Sequence, residues 1–294
     1  MDIDQIKETK QKTSQIEDNT NNLNAKILEH LAPEDRLSFN KHYSVNKMIC
    51  EGGNGIVFKG RQKFSGETLA FKLIPKCKIP RWMMIDQRNT PLECFLLRKL
   101  ETVQGVVRLK SHYIGIEDVL MVMEYPENTM DLFEYTMLKG RIREDEARNI
   151  LRQTTNILYE CQKADVVHCD IKDENLLINT VTGEITVIDF GAGTFCSEEP
   201  YTEFLGTHLY SPPECTLGIK HRAEPLTVWT LGILICNLLN GHPPFDKISE
   251  ILQPVIRLDA SISRDCQDLI GKCLSVNPKN RIKLQSVLHH DWLK

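Results

Sequence analysis

The stretch His168-Cys169-Asp170-Ile171-Lys172-Asp173-Glu174-Asn175, with Asp189-Phe190-Gly191 further along, decides how this chain is read. Apolar runs flank the first segment, Val166-Val167 before it and Leu176-Leu177-Ile178 after it, so it reads as a loop between strands. A further run, Ile185-Thr186-Val187-Ile188, leads straight into Asp189, and Asn179 and Gly183 mark the turn between those strands. Two acids and an amide are thereby carried on adjacent strand ends. Oxygen ligands of that kind gather around a hard cation such as Mg²⁺.

The chain has 294 residues, and at ~150 residues per domain two lobes or domains are expected. With 41% apolar and 26% charged residues, the composition is that of an ordinary globular chain. A net charge of −4 provides no basic stripe and argues against nucleic acid as a partner. Residues 1–40 lack the apolar run of a signal peptide. The longest such run, Leu231 to Cys236, is far short of the ~20 residues of a membrane helix, so no membrane insertion is expected. Ten cysteines stand singly, with no C-x-x-C pair, which argues against zinc or a redox pair. Cys94, Cys161, Cys236 and Cys273 fall within apolar helical patterns and read as small buried hydrophobes. A monomer in the reducing cytoplasm, with nuclear access open, is the expectation.

The opening segment resembles the catalytic loop and metal-binding triplet of eukaryotic protein kinases, H-R-D-x-x-x-x-N and D-F-G, with Cys169 in place of the arginine. Other stretches join it in order. Cys50-Glu51-Gly52-Gly53-Asn54-Gly55-Ile56-Val57 looks like the glycine-rich loop, with Cys50 in the first glycine position. Glycines let backbone N–H groups close on phosphate oxygens, although alone the cluster reads equally as a hairpin turn. Leu69-Ala70-Phe71-Lys72 resembles V-A-I-K, and Glu93, the one inward acid of a helix begun near Pro91, is the candidate partner that fixes Lys72. Pro91 suits the first turn of that helix. Val106-Val107-Arg108-Leu109 and Leu120-Met121-Val122-Met123 complete a small sheet, and Glu124-Tyr125-Pro126-Glu127 reads as a hinge. Proline has no N–H, so Pro126 in the donor position would remove one adenine hydrogen bond.

A proline hinge is a feature of the Pim family of serine/threonine kinases. Asp131-Leu132-Phe133-Glu134, Asp170 to Asn175, Tyr210-Ser211-Pro212-Pro213-Glu214 and Val228-Trp229-Thr230-Leu231-Gly232-Ile233-Leu234 are similar to that family in the same order, over about Tyr43 to Trp292. The resemblance implies an α+β, two-lobed protein-kinase fold. A small, mostly antiparallel lobe with one main helix spans about 43–123, a hinge about 124–127, and a larger, mostly helical lobe about 128–293. Residues 1–40 read as a polar, flexible tail, because Leu23, Ile27 and Leu31 mark one helix face for only two turns. Glu144 to Lys163 reads as the long core helix of the larger lobe.

The resemblance also implies the roles. ATP would be held by Gly52, Gly53, Gly55, Val57, Ala70, Lys72, Met123, Glu124, Glu174 and Leu177, and Mg²⁺ by Asn175 and Asp189. Asp170 would orient a substrate hydroxyl and accept its proton, and Lys172 would set positive charge at the transferring phosphoryl group. Lys72 and Glu93 complete the catalytic set. Asp131, Glu134 and Glu174, with Asp246 nearby, would favour protein substrates basic around the target, while Thr207 could bond Asp170 or Lys172; His242 sits where an acid is expected. Cys169 cannot grip a phosphorylated activation loop, so activity is expected not to need phosphorylation of Thr194, Ser197, Tyr201 or Thr202 through that contact. Thr227 replaces the aspartate that usually anchors the catalytic loop, and Glu214 should pair with Arg281. Cys50, Cys169 and Thr227 leave a pseudokinase as the alternative; a small-molecule kinase is disfavoured by Lys172 and the Gly206-Thr207 and Pro213-Glu214 segments.

Overall fold

A computed structural model describes residues 22–53, 55–85 and 87–294. The tail expectation for residues 1–21, and Asn54 of the glycine-rich stretch, lie outside the described residues. The chain divides into two compact units, one of residues up to Cys94 with Arg108–Glu127, the other of Phe95–Val107 with Asn128–Lys294.

The first unit is built on strands β1 (Tyr43–Gly52), β2 (Gly55–Gln62), β3 (Thr68–Pro75), β4 (Trp82–Ile85), β5 (Arg88–Pro91), β6 (Leu109–Ile114) and β7 (Asp118–Glu124). Five of them form an antiparallel sheet in the order β1-β2-β3-β7-β6, while β4 and β5 pair as a separate hairpin. Register sets Val57 opposite Lys72, Lys72 opposite Met121, and Ala70 opposite Met123. Side chains alternate along a strand, so Val57, Ala70, Lys72 and Met123 share one face. Phe58, Leu69, Phe71, Leu73, Leu120 and Val122 take the other.

That second face corrects the tail. Residues 22–30 (α1) and Pro33–His42 (α2) are helical, and Ile27, Phe39 and the linking Leu31 pack into the apolar face just described. A two-turn helix is marginal alone, but each fully buried side chain of this size returns about 1.5–3 kcal/mol. Polar contacts fix the cap: the Val45 N–H donates to Asn24 Oδ1 at 2.9 Å, and His30 Nδ1 meets Asp118 Oδ2 at 2.6 Å. Gly115 permits the approach, since a Cβ there would lie 1.8 Å from the His30 carbonyl oxygen.

The helix α3 (Leu92–Lys99) begins directly after β5. Pro91 therefore closes a strand, paired with Trp82, instead of standing in the helix's first turn. Val106 and Val107 are also reassigned: they belong to the second unit, where Val107 donates to the Val187 carbonyl at 3.0 Å.

In the second unit, β8 (Thr129–Asp131), β10 (Leu176–Asn179) and β11 (Ile185–Val187) form one small sheet, and β9 (Val166–Val167) pairs β12 (Thr194–Phe195) in another. Around them stand α4 (Leu132–Lys139), α5 (Glu144–Lys163), α6 (Pro213–Thr216), α7 (Ala223–Asn240), α8 (Ile248–Leu252), α9 (Arg264–Cys273) and α10 (Leu284–Leu288). The apolar face of α5 is buried from Ala147 to Cys161 at helical spacing. By length and composition α7 could cross a membrane, yet 78% of it is buried inside this unit, as befits a core helix. Glu214 and Arg281 pair through two bonds of 2.5 and 2.6 Å, with the guanidinium 4.9 Å from the Trp229 ring.

Candidate active site

In the first unit the glycine-rich stretch is the turn of the β1–β2 hairpin, with Gly52 opposite Gly55. Gly55 has φ +129°, and a Cβ there would lie 2.2 Å from the Leu73 carbonyl oxygen, so only glycine fits. Gly52 and Gly53 have open space around them. On β3, Lys72 projects from the face it shares with Val57, Ala70 and Met123, and its Nζ lies 2.9 Å from Glu93 Oε1. Both side chains are buried, and a buried ammonium beside a carboxylate is held to one geometry. Glu124 ends β7 and accepts the Arg108 N–H on its side chain at 3.0 Å.

The second unit carries the loop. Cys169 and Asp189 both adopt positive φ, +66° and +61°. Non-glycine residues held so are found where the surroundings dictate the backbone, commonly at functional sites. His168 explains part of this. Its buried ring lies 4.5 Å from Phe190, Nε2 donates to the Ile188 carbonyl at 2.9 Å, and Nδ1 accepts the Asp170 N–H at 3.3 Å. One imidazole therefore ties the loop to the strand that delivers Asp189.

Asp170 is held from two sides. Oδ1 accepts the Thr207 N–H at 2.7 Å, and the Asn175 amide donates to the Asp170 carbonyl at 2.7 Å and to Oδ2 at 3.2 Å. Of the two partners expected for Thr207, Asp170 is the one it meets, and it does so through its backbone. Lys172 pairs with Glu174 at 2.7 Å. Burial pulls the Lys172 pKa down, but Glu174, Asp170 and Asp189 outweigh it and hold the ammonium above its ordinary range. It stays charged.

The Asn175 amide nitrogen faces Asp170, which leaves its oxygen for a cation; Asp189 Oδ1 accepts the Gly191 N–H at 3.1 Å. Among the described residues no three His, Cys, Asp or Glu side chains gather as a metal cage. One amide oxygen and one carboxylate suit Mg²⁺, which keeps waters and takes substrate phosphates as further ligands.

Asp131 caps α4, accepting the Glu134 N–H at 2.7 Å, and stands opposite Leu177 in the β8–β10 register. Burial, and then the neighbouring Glu134 and Glu174, push its pKa up despite the bond from the Glu134 N–H. Asp131, Glu134 and Glu174 therefore form one acidic neighbourhood. Asp246 and His242 line a cavity of ≈ 400 Å³ with Phe245, Glu250 and Arg257.

Sequence reasoning missed one buried group. Tyr210 Oη donates to Asp173 Oδ1 at 3.1 Å, and the Asn237 amide donates to Asp173 Oδ2 at 2.7 Å. Its members lie 37 and 64 positions from Asp173 along the chain, so no local pattern announces them.

Residues 43–293 match the protein kinase domain model, and the chain belongs to that family. It is similar to the serine/threonine-protein kinase pim-2 of Danio rerio, at 36% identity over 87% of this chain and 86% of that protein. The serine/threonine-protein kinase prk-2 of Caenorhabditis elegans is also 36% identical, over 87% of this chain and 59% of its own length. The serine/threonine-protein kinase 1 of African swine fever virus is 30% identical over 90% of this chain and 85% of that protein.

Proposed function

We propose that this chain is a serine/threonine protein kinase that transfers the ATP γ-phosphoryl group to Ser and Thr hydroxyls of proteins. The observation that carries the reading is Asp170, whose carboxylate is gripped at once by the acceptor-side Thr207 N–H and by Asn175. A carboxylate so oriented can take the proton of an incoming hydroxyl. Lys172, kept charged, offsets negative charge at the phosphoryl group. Lys72, steadied by Glu93, binds the nucleotide's phosphates, and the face bearing Val57, Ala70 and Met123 takes the adenine. Asn175 and Asp189 hold Mg²⁺, which neutralises phosphate charge.

The acidic neighbourhood of Asp131, Glu134 and Glu174 supports a preference for Arg or Lys near the target. We place the kinase in the cytoplasm as a monomer with no nucleic-acid partner, a reading that draws on the −4 net charge. Cys50, Cys169 and Thr227 are the features that favour the pseudokinase alternative, and the set of Lys72, Glu93, Asp170, Lys172, Asn175 and Asp189 opposes it. Phosphoamino-acid analysis of labelled products from an arrayed peptide library tests the reading: phosphoserine and phosphothreonine enriched beside basic residues are expected. Phosphotyrosine alone, or transfer indifferent to basic residues, would remove the corresponding part.

A further inference from the structure

Thr227, which stands where the resemblance expects a loop-anchoring aspartate, spends its hydroxyl on its own helix. The Thr227 hydroxyl donates to the Ala223 carbonyl of its own helix at 3.0 Å. A cavity of ≈ 10 Å³, about the room of one water, lies among Thr227, Val167 and His168. Further along α7, Asn237 reaches the loop directly. Its amide donates to Asp173 at 2.7 Å and to Tyr210 Oη at 3.3 Å, and Tyr210 in turn donates to Asp173 at 3.1 Å. All three residues are buried. Asp173 lies between Asp170 and Asn175, and the Tyr210 N–H donates to the Thr207 carbonyl at 2.9 Å. The trio therefore touches the loop, the segment that donates to Asp170, and the core helix together.

We infer that Asn237 and Tyr210 are positioning residues, which hold the catalytic loop and the acceptor segment in register through Asp173. Both are buried, and they act through Asp170. The inference rests on the kinase reading. A carboxylate must be met by a donor here, because a buried acceptor left unsatisfied, or two carboxylates face to face, is costly.

The test is a double-mutant cycle on the full chain, reading kcat for a basic Ser peptide, KM for ATP, and melting temperature. Asn237→Asp sets two carboxylates together and is expected to lower kcat by about 10²-fold, the scale of a small misplacement at a reacting centre, with KM for ATP unchanged. Adding Asp173→Asn restores an amide–carboxylate pair with its polarity reversed. The amide introduced on the loop would still accept from Tyr210 while donating to the carboxylate introduced on α7, so most of kcat should return. Tyr210→Phe, which keeps the ring, should lose kcat and keep KM. Wild-type kcat in folded Asn237→Asp or Tyr210→Phe would overturn the inference. So would a swapped pair that is folded yet as slow as Asn237→Asp. If a substitution prevents folding, Asn237→Gln supplies the same readout with a displaced amide. A wild-type chain without transfer would count against the kinase reading itself, a separate result.

Discussion

The Thr207 N–H lies 2.7 Å from Oδ1 of Asp170, so the segment before α6 is bonded directly to the candidate catalytic acid. The bond uses the backbone. Thr207→Ala should therefore preserve phosphoryl transfer. Thr207→Pro should not. Thr207 already has φ −70° and ψ 122°, which proline adopts without strain, yet the donor is gone. A loss of about 10²-fold in kcat is expected, measured against Thr207→Ala in the same peptide assay. Equal rates in the two variants would show that the bond is dispensable.

The cap formed by α1 and α2 is integral to the first unit. Phe39 is 1% exposed and meets the rings of Tyr43, Phe71 and Tyr113 at 5.3–5.9 Å. Phe39→Ala should cost about 3–5 kcal/mol, the range for a large core side chain truncated to alanine. Urea unfolding of the full chain measures it. A cost within the scatter of surface substitutions would mean that the helices are an appendage.

Hydrogen bonds from Tyr201 brace the activation segment. Tyr201 and His221 exchange backbone bonds of 2.8 and 3.0 Å, and Tyr201 Oη donates to the Phe195 carbonyl at 2.7 Å. Thr194→Ala, Ser197→Ala and Thr202→Ala should leave transfer intact. Tyr201→Ala should impair it because the residue is structural, its phenol half-buried and its pKa pushed up to about 12. Abolition of activity by any of the first three, in a folded protein, would contradict this.

His221 gives that brace a pH dependence. Burial lowers its pKa from the ordinary 6.5, against the Ile219 carbonyl and the Glu214 charge, which raise it. The unfolded chain therefore binds the proton more readily. The stability from His221 is present above pH 6.5 and is lost as pH falls towards the folded value. The loss is at most about 1.4 kcal/mol per pH unit. Denaturant titrations from pH ~7 to ~5 should show wild type losing more stability than His221→Phe. Parallel curves would show that the histidine contributes no such term.

Legibility in the sequence followed the range of the interactions. The loop from His168 to Asn175, the Asn179–Gly183 turn and the face of α5 are written in residues a few positions apart. Lys72 and Glu93 were readable because a strand and a helix each present one charged residue among apolar ones. The helix face of Leu23, Ile27 and Leu31 was legible, but its burial was not, since the sheet face it meets is assembled from β2, β3 and β7. Val106 and Val107 read as strand by their apolar character, but their partner is Val187. Asn237 lies in an apolar helix, and its partners Asp173 and Tyr210 are 64 and 27 positions away along the chain.

The most direct measurement is transfer of label from γ-radiolabelled ATP, with Mg²⁺, to a basic Ser peptide by wild type, Lys72→Met and Asp170→Asn. Steady transfer by wild type is expected, with a fall of at least about 10²-fold in Asp170→Asn, the scale of general-base catalysis, and a comparable fall in Lys72→Met. Wild type no faster than Asp170→Asn, in a preparation that is folded and binds ATP, would contradict the account.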